Sequence, residues 1–206
     1  MGRRSRALGT QSLRKTAHIG AEHNCWRPSH VFAATLAVML FFAGGLTLSG
    51  SSWAERGSHI SLDEPLPQPA WELPLIANGE GTVSQSSFLG RVTYLDFWAS
   101  WCGPCRLSLP ALNRLSQEFA PADFGVVAIS VDYVDEDALD FLTRYPVDYP
   151  VAIDKTGDSG RAFAVAGMPS GYLIGRDGLI REVHVGFRKG DEAVLREKIA
   201  RLISES

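Results

Sequence analysis

Apolar and polar positions fall into three regimes along the chain. Residues 31–48, VFAATLAVMLFFAGGLTL, form one run of eighteen residues without a charge. That approaches the ~20 apolar residues of a membrane-spanning helix, and the run has no polar face of the kind a half-buried helix shows. Residues 51–69 mix Ser, Gly and scattered charges with Pro65, Pro67 and Pro69, which predicts a proline-stiffened spacer. From Trp71 onward short apolar runs alternate with stretches of helical spacing, the pattern of a packed domain.

Within that domain, Trp71–Leu75 reads as a short strand, Asn78-Gly79-Glu80-Gly81 as a turn and Thr82-Val83 as the return strand. Val92–Trp98 is a continuous apolar run rich in β-branched and aromatic residues, which predicts a buried strand. Leu109, Leu112, Leu115 and Phe119 then recur at helical spacing. Val126–Val131 predicts a second buried strand, Asp135–Tyr145 a helix with Asp135 as its N-cap, Val151–Ile153 a strand and Ser159–Ala166 a helix. Tyr172–Ile174 and Leu179–Val185 flank the turn Arg176-Asp177-Gly178 as a hairpin. Leu195, Ile199, Leu202 and Ile203 give a last helix one apolar face. Strands alternating with helices and closing on a hairpin predict an α/β fold with a mixed sheet.

Charge changes the picture at the N-terminus. Residues 1–54 carry six basic groups against the single acid Glu22, while the remainder carries fourteen basic and twenty-two acidic residues. Basic flanks stay on the cytoplasmic side of a span. The expected organisation is therefore a basic cytoplasmic segment at 1–30, a transmembrane anchor at 31–50, a linker at 51–70 and a globular domain at 71–206. In a bacterium this places the domain on the periplasmic side of the inner membrane. Ser52-Trp53-Ala54 offers a small-x-small cleavage site, so a cleaved, soluble periplasmic form is the alternative. An acidic domain also excludes nucleic acid as a partner.

The candidate chemistry lies in DFWASWCGPCR, residues 96–106, where two of the three cysteines stand three positions apart after the strand-like run. Cys25 lies before the apolar run and is expected on the opposite side of the membrane. A zinc or iron–sulfur site usually needs four ligands. The exported part has no second Cys pair, and its histidines, His59 and His184, are far apart in sequence. Nor do His18, His23 and Cys25 match a metal motif. No metal and no cofactor are expected. A structural disulfide across Cys102–Cys105 would close a very short loop and constrain the unfolded chain little. The favoured reading is a redox dithiol. Cys102 would sit at a helix start, where unpaired N–H groups and the dipole favour a thiolate. Cys105, one turn inward, would be placed to attack the mixed disulfide. The acids Asp132, Asp135, Glu136 and Asp137 lack calcium-loop spacing and read as a solvated helix start.

At Trp101-Cys102-Gly103-Pro104-Cys105 the chain resembles the thioredoxin superfamily, and within it the membrane-tethered TlpA/ResA-like thiol–disulfide oxidoreductases. Pro110 matches the family's helix-kinking proline, and Gly167-Met168-Pro169-Ser170 matches its cis-proline loop. The resemblance implies a thioredoxin-like fold: a central mixed β-sheet flanked by helices, with an added N-terminal hairpin and a central helix–strand insertion. It implies Cys102 and Cys105 as a redox-active disulfide, with Asp96 as a buried acid that takes the Cys105 proton. Trp101, Gly103, Pro104, Met168 and Pro169 would border the client, the backbone of Met168 pairing with it like an added strand. Trp98 reads as core. Ser108 stands where this branch often carries Glu. The implied partners are protein disulfide or dithiol clients, of the cytochrome c or oxidase biogenesis type, and a membrane electron donor of the disulfide-reductase type. Two alternatives remain. One is a copper-handling assembly factor in which Met168 joins the dithiol as a soft ligand. The other is a thiol peroxidase, although Ala99 occupies the position of that site's Thr.

Overall fold

The structure is a computed structural model that describes residues 59–205. The basic segment, the apolar run 31–48 and the first part of the predicted linker lie outside the described residues. Among the described residues no helix is long and apolar enough to cross a membrane.

The elements are β1 (His59–Pro67), β2 (Glu72–Ala77), β3 (Thr82–Ser84), β4 (Val92–Trp98), α1 (Cys105–Glu118), β5 (Phe124–Ser130), α2 (Asp135–Arg144), β6 (Val151–Ile153), α3 (Asp158–Ala162), β7 (Ser170–Ile174), β8 (Leu179–Val185) and α4 (Asp191–Ser204). They build one eight-stranded sheet in the order β1-β8-β7-β4-β5-β6-β2-β3. Strands β4, β5 and β6 run parallel, and β7 pairs antiparallel with β4. This is the expected α/β class, with a mixed sheet flanked by helices. The hairpin β2–β3 extends one edge through β6, and α2–β6 forms the inserted unit.

The period-2 alternation of β4 divides the core. Val92, Tyr94 and Trp98 face one way and pack with Leu109, Leu112 and Leu115 of α1, Phe141 of α2, and Leu195 and Ile199 of α4. Leu95 and Phe97 face the other way, into a cluster with Trp71, Val83, Phe88, Phe163 and Tyr172. With both faces covered, every residue of β4 and β5 is buried. A fully buried side chain of this size contributes about 1.5–3 kcal/mol, so the two central strands anchor the loops at their ends.

Three expectations are corrected. Residues 59–67, read as spacer, form strand β1, which pairs antiparallel with β8. The folded unit thus begins well before Trp71. Pro65 and Pro67 hid it, yet an edge strand tolerates proline because one side of its ladder is unpaired; a register shift separates Ser61 from Leu66. Asp135 is the first residue of α2, and the cap position belongs to Val134, without a side-chain cap bond. Asp135, Glu136 and Asp137 do occupy the first turn, where acids complement the helix dipole. Asp132 is not part of that solvated face: it is buried.

One row of paired residues crosses four strands. Asp96 lies opposite Gly171, Gly171 opposite His184, and His184 opposite His59. Directly paired residues share a sheet face, so the four line one face. A Cβ built on Gly171 would fall 1.9 Å from the Tyr94 hydroxyl. The glycine is required there because the Tyr94 ring crosses it to reach His184 Nδ1 at 2.9 Å.

Candidate active site

Three loops meet at one end of the sheet. The chain leaving β4 runs through Ala99–Pro104 into α1, the chain leaving β5 runs through Val131–Val134, and Gly167–Pro169 leads into β7, whose Ser170 pairs with Phe97. Val131 N donates to Trp98 O at 3.0 Å. Asp132 ties two of the loops together: its Oδ2 accepts from Ser100 N at 2.9 Å and Ser130 Oγ at 2.8 Å, and its Oδ1 accepts from Ser100 Oγ at 2.8 Å. A buried carboxylate with three donors is held in one orientation, and it fixes the segment two residues before Cys102.

Cys102 and Cys105 form a disulfide with S–S 2.01 Å. Helix α1 starts at Cys105, with the turn of Gly103 and Pro104 ahead of it. The backbone N–H of Cys105 points at Cys102 Sγ, 3.2 Å away. That donor stabilises negative charge on sulfur, but the helix begins later than expected: α1 starts at Cys105 with Pro104 at its cap position, so Cys102 precedes the helix and does not cap it. Both sulfurs are shielded: Cys102 is 4 % exposed and Cys105 fully buried. Access favours Cys102, although by less than a surface position would give. Trp101 is 70 % exposed beside it, and Gly103 and Pro104 are exposed in the turn.

Asp96 is 1 % exposed in the middle of β4. It shares the face of Tyr94 and Trp98, whose cluster also holds Cys102, Cys105 and Leu109. Its Oδ2 has no hydrogen-bond partner. Burial pushes its carboxyl well above the usual range, because a charge loses its hydration there. Tyr94 and Tyr149 are pushed up as well, first by burial and then by Asp96. Ser108 Oγ and Trp98 Nε1 are likewise buried without a partner, Ser108 one turn after Cys105 on α1. Trp98 is core, with its ring 5.0 Å from that of Phe141.

Met168–Pro169 is a cis peptide bond. Its loop is fixed by Ser170 Oγ donating to Gly167 O at 2.7 Å and by Gly186 N donating to Pro169 O at 2.8 Å. Met168 is half-buried against the cluster that contains both cysteines. The structure thus places Trp101, Cys102, Gly103, Pro104, Cys105, Met168 and Pro169 at one end of the sheet, with Asp96 inside β4 two residues before that strand's end. Sequence reasoning missed Asp132, whose signal was faint: an acid directly after a buried strand. It also separated His59 from His184, whose rings stack 3.9 Å apart at 14°. Burial, then the neighbouring His59, push His184 down to about 4.

A disulfide between cysteines three positions apart just ahead of a helix, with a cis Met168–Pro169 bond entering the strand beside β4, is the arrangement that the thioredoxin-like resemblance leads one to expect. Comparison with known proteins shows the family: residues 63–199 match the Redoxin family, and the chain belongs to it; its relatives include proteins named ResA and DsbE. It is 34 % identical over 171 residues to the thiol:disulfide interchange protein DsbE of Pseudomonas fluorescens biotype C, covering 82 % of this chain and 88 % of that protein. It is 31 % identical over 102 residues to the thiol-disulfide oxidoreductase ResA of Bacillus thuringiensis subsp. konkukian, an alignment that spans 49 % of this chain and 59 % of that relative's length. A crystal structure from Chlorobium tepidum, described as a DsbE thiol:disulfide interchange protein, superposes with TM-score 0.65 at 40 % identity, covering 69 % of this chain and 99 % of that one.

Proposed function

We propose that the chain reduces disulfides of protein clients on the periplasmic side of a bacterial inner membrane. The observation that carries this reading is the Cys102–Cys105 pair at the entry to α1, with the buried acid Asp96, whose Oδ2 lacks a hydrogen-bond partner, on the sheet face of the cluster that holds the pair. In the reduced protein the Cys102 thiolate attacks one sulfur of a client disulfide. A mixed disulfide forms and the other client sulfur leaves as a thiolate. Cys105 then gives its proton to the Asp96 carboxylate and attacks Cys102 Sγ. The Cys102–Cys105 bond forms, the second client sulfur leaves, and two electrons have passed to the client. Asp96 suits this step because a carboxyl with a raised pKa is a stronger base than an exposed one. Trp101 offers an apolar landing surface, with Gly103 and Pro104 leaving the approach open. The backbone of Met168 beside Pro169 pairs with an extended client segment. Clients of the cytochrome c or oxidase biogenesis type fit such a site.

A membrane electron donor of the disulfide-reductase type returns the pair to the dithiol. Residues 31–48 tether the domain beside that donor, and the basic residues before them hold the N-terminus in the cytoplasm. The direct test uses the full chain, reduced beforehand, with a disulfide-bonded protein as substrate. The wild type should open client disulfides stoichiometrically and Cys102→Ser should not; equal activity in both would refute the assignment. A reporter fused after Ser206 should be active only outside the cytoplasm. Extraction of the native protein by carbonate would show a cleaved span.

A second reading rests on Met168, which packs against the cluster that holds both cysteines as well as the cluster on the other sheet face. With the dithiol reduced, two thiolates and a thioether make a soft set for Cu(I). Loss of Cu(I) binding in both Met168→Thr and Cys102→Ser would support it. Peroxide reduction is the third candidate activity, and Ala99 leaves it without the hydroxyl that a peroxidase site uses.

A further inference from the structure

The row that begins at Asp96 ends in a second polar cluster. His59 of β1 and His184 of β8 are direct partners across the ladder. Asp191, the first residue of α4, brings Oδ2 to 3.1 Å from His184 Nε2 and Oδ1 to 4.0 Å from His59 Nε2. One ligand atom from each residue lies within 4.8 Å of the others. The side chains are 13 %, 3 % and 14 % exposed for His59, His184 and Asp191, shielded but reachable from solvent. Both ring nitrogens of His59 are buried without a hydrogen-bond partner. Buried polar atoms rarely stay unsatisfied, and an absent ion is one explanation when they do.

We propose that His59, His184 and Asp191 form a binding site for a single divalent transition-metal ion of the zinc class, completed by water. Two imidazoles and a carboxylate are a borderline nitrogen–oxygen set that suits Zn²⁺ and disfavours Cu(I). His184 Nε2 and Asp191 Oδ2 already stand near the spacing of two ligands that are each about 2.0–2.2 Å from one ion. The supporting contacts are also in place. Tyr94 Oη lies 2.9 Å from His184 Nδ1 and can donate or accept, so it serves the tautomer that binding requires. The Arg188 N–H donates to Asp191 Oδ2 at 2.8 Å and orients the carboxylate. An ion must lie in the plane of each imidazole it binds, and two stacked rings cannot share one. Loading therefore turns the His59 ring out of the stack, and no hydrogen bond holds that ring in place. The bound ion would clasp β1 to β8 and α4, across the ladder that the shift between Ser61 and Leu66 interrupts.

The test uses the intact, oxidised chain, in which the disulfide occupies Cys102 and Cys105. Co²⁺ is titrated in as a visible probe and then displaced with Zn²⁺. His59→Phe keeps an aromatic ring against His184, and Asp191→Asn keeps an acceptor for Arg188 N–H. The wild type should bind one Co²⁺ with the visible bands of a nitrogen–oxygen site, release it to Zn²⁺, and unfold at a higher temperature when loaded. Each variant should bind more weakly, on the order of tenfold or more, and lose the thermal shift. Wild-type binding no tighter than that of both variants would overturn the proposal, as would tight binding that survives in both through other residues. Metal binding and disulfide reduction are read separately, so either can fail without the other.

Discussion

Replacing Asp96 by Asn removes one ionisation from the middle of the sheet and keeps the side-chain shape. The folded protein holds this carboxyl well above its ordinary range because the side chain is buried. The unfolded chain releases the same proton near pH ~4. As pH rises between those two values the folded state binds one proton more than the unfolded state, so stability falls with pH. The slope for one such group reaches about 1.4 kcal/mol per pH unit and vanishes above the folded-state pKa. The Asp96→Asn variant has no such slope. Its introduced amide N–H₂ meets the space where Asp96 Oδ2 now lacks a partner, at a cost of about 1–3 kcal/mol. That cost does not change with pH and drops out of the slope. Urea unfolding of the oxidised proteins at steps from about pH 4 to pH 8 measures both curves. The wild type should lose stability relative to the variant from the acid end upward, and then run parallel to it. Curves parallel throughout would mean that Asp96 ionises alike in both states, and the raised pKa would be refuted. The same variant should release mixed disulfides about 100-fold more slowly at neutral pH, with attack by Cys102 less affected.

Gly171→Ala should destabilise the fold by about 1–3 kcal/mol through overpacking, since its Cβ would overlap the Tyr94 hydroxyl; an unchanged urea midpoint would place that ring elsewhere. Asp132→Asn should cost about 2–3 kcal/mol, because the three donors from Ser100 and Ser130 lose a charged acceptor. It should also speed proteolysis of the loop before Cys102, and full protection would contradict the clamp. Met168→Thr should lower the Cys102 pKa by adding a donor near the sulfur and make the protein a weaker reductant by about 30 mV per pKa unit. Thiolate absorbance and a glutathione redox titration read these two effects, and an equal or higher pKa would place Met168 away from Cys102.

What was legible followed from how local each signal was. The apolar run Val92–Trp98 is buried on both faces and announces a central strand. The Cys102–Cys105 pair is local in sequence, joined across the tight turn of Gly103 and Pro104 that leads into α1. Leu109, Leu112 and Leu115 mark the buried face of α1 by spacing alone. Strand β1 was not legible because its partner β8 lies far along the chain, and only that ladder makes a strand of a proline-rich stretch. The same distance hid the pairing of His59 with His184. Asp132 read as one of four surface acids because its burial depends on Ser100, which the fold brings to it from another strand end. Gly171 carried a usable hint. A lone glycine inside an apolar strand often marks a close approach, and here the Tyr94 ring makes it.

The division of labour between the two cysteines is the centre of this account, and trapping tests it most directly. Cys105→Ser leaves Cys102 able to attack a client and removes the thiol that would release it. Incubation of the reduced full chain with a disulfide-bonded client, followed by mass mapping of the adducts, should find the client bonded to Cys102 in Cys105→Ser and no adduct in Cys102→Ser. Adducts on Cys105 in Cys102→Ser, with none on Cys102 in the other variant, would reverse the assignment and contradict the mechanism.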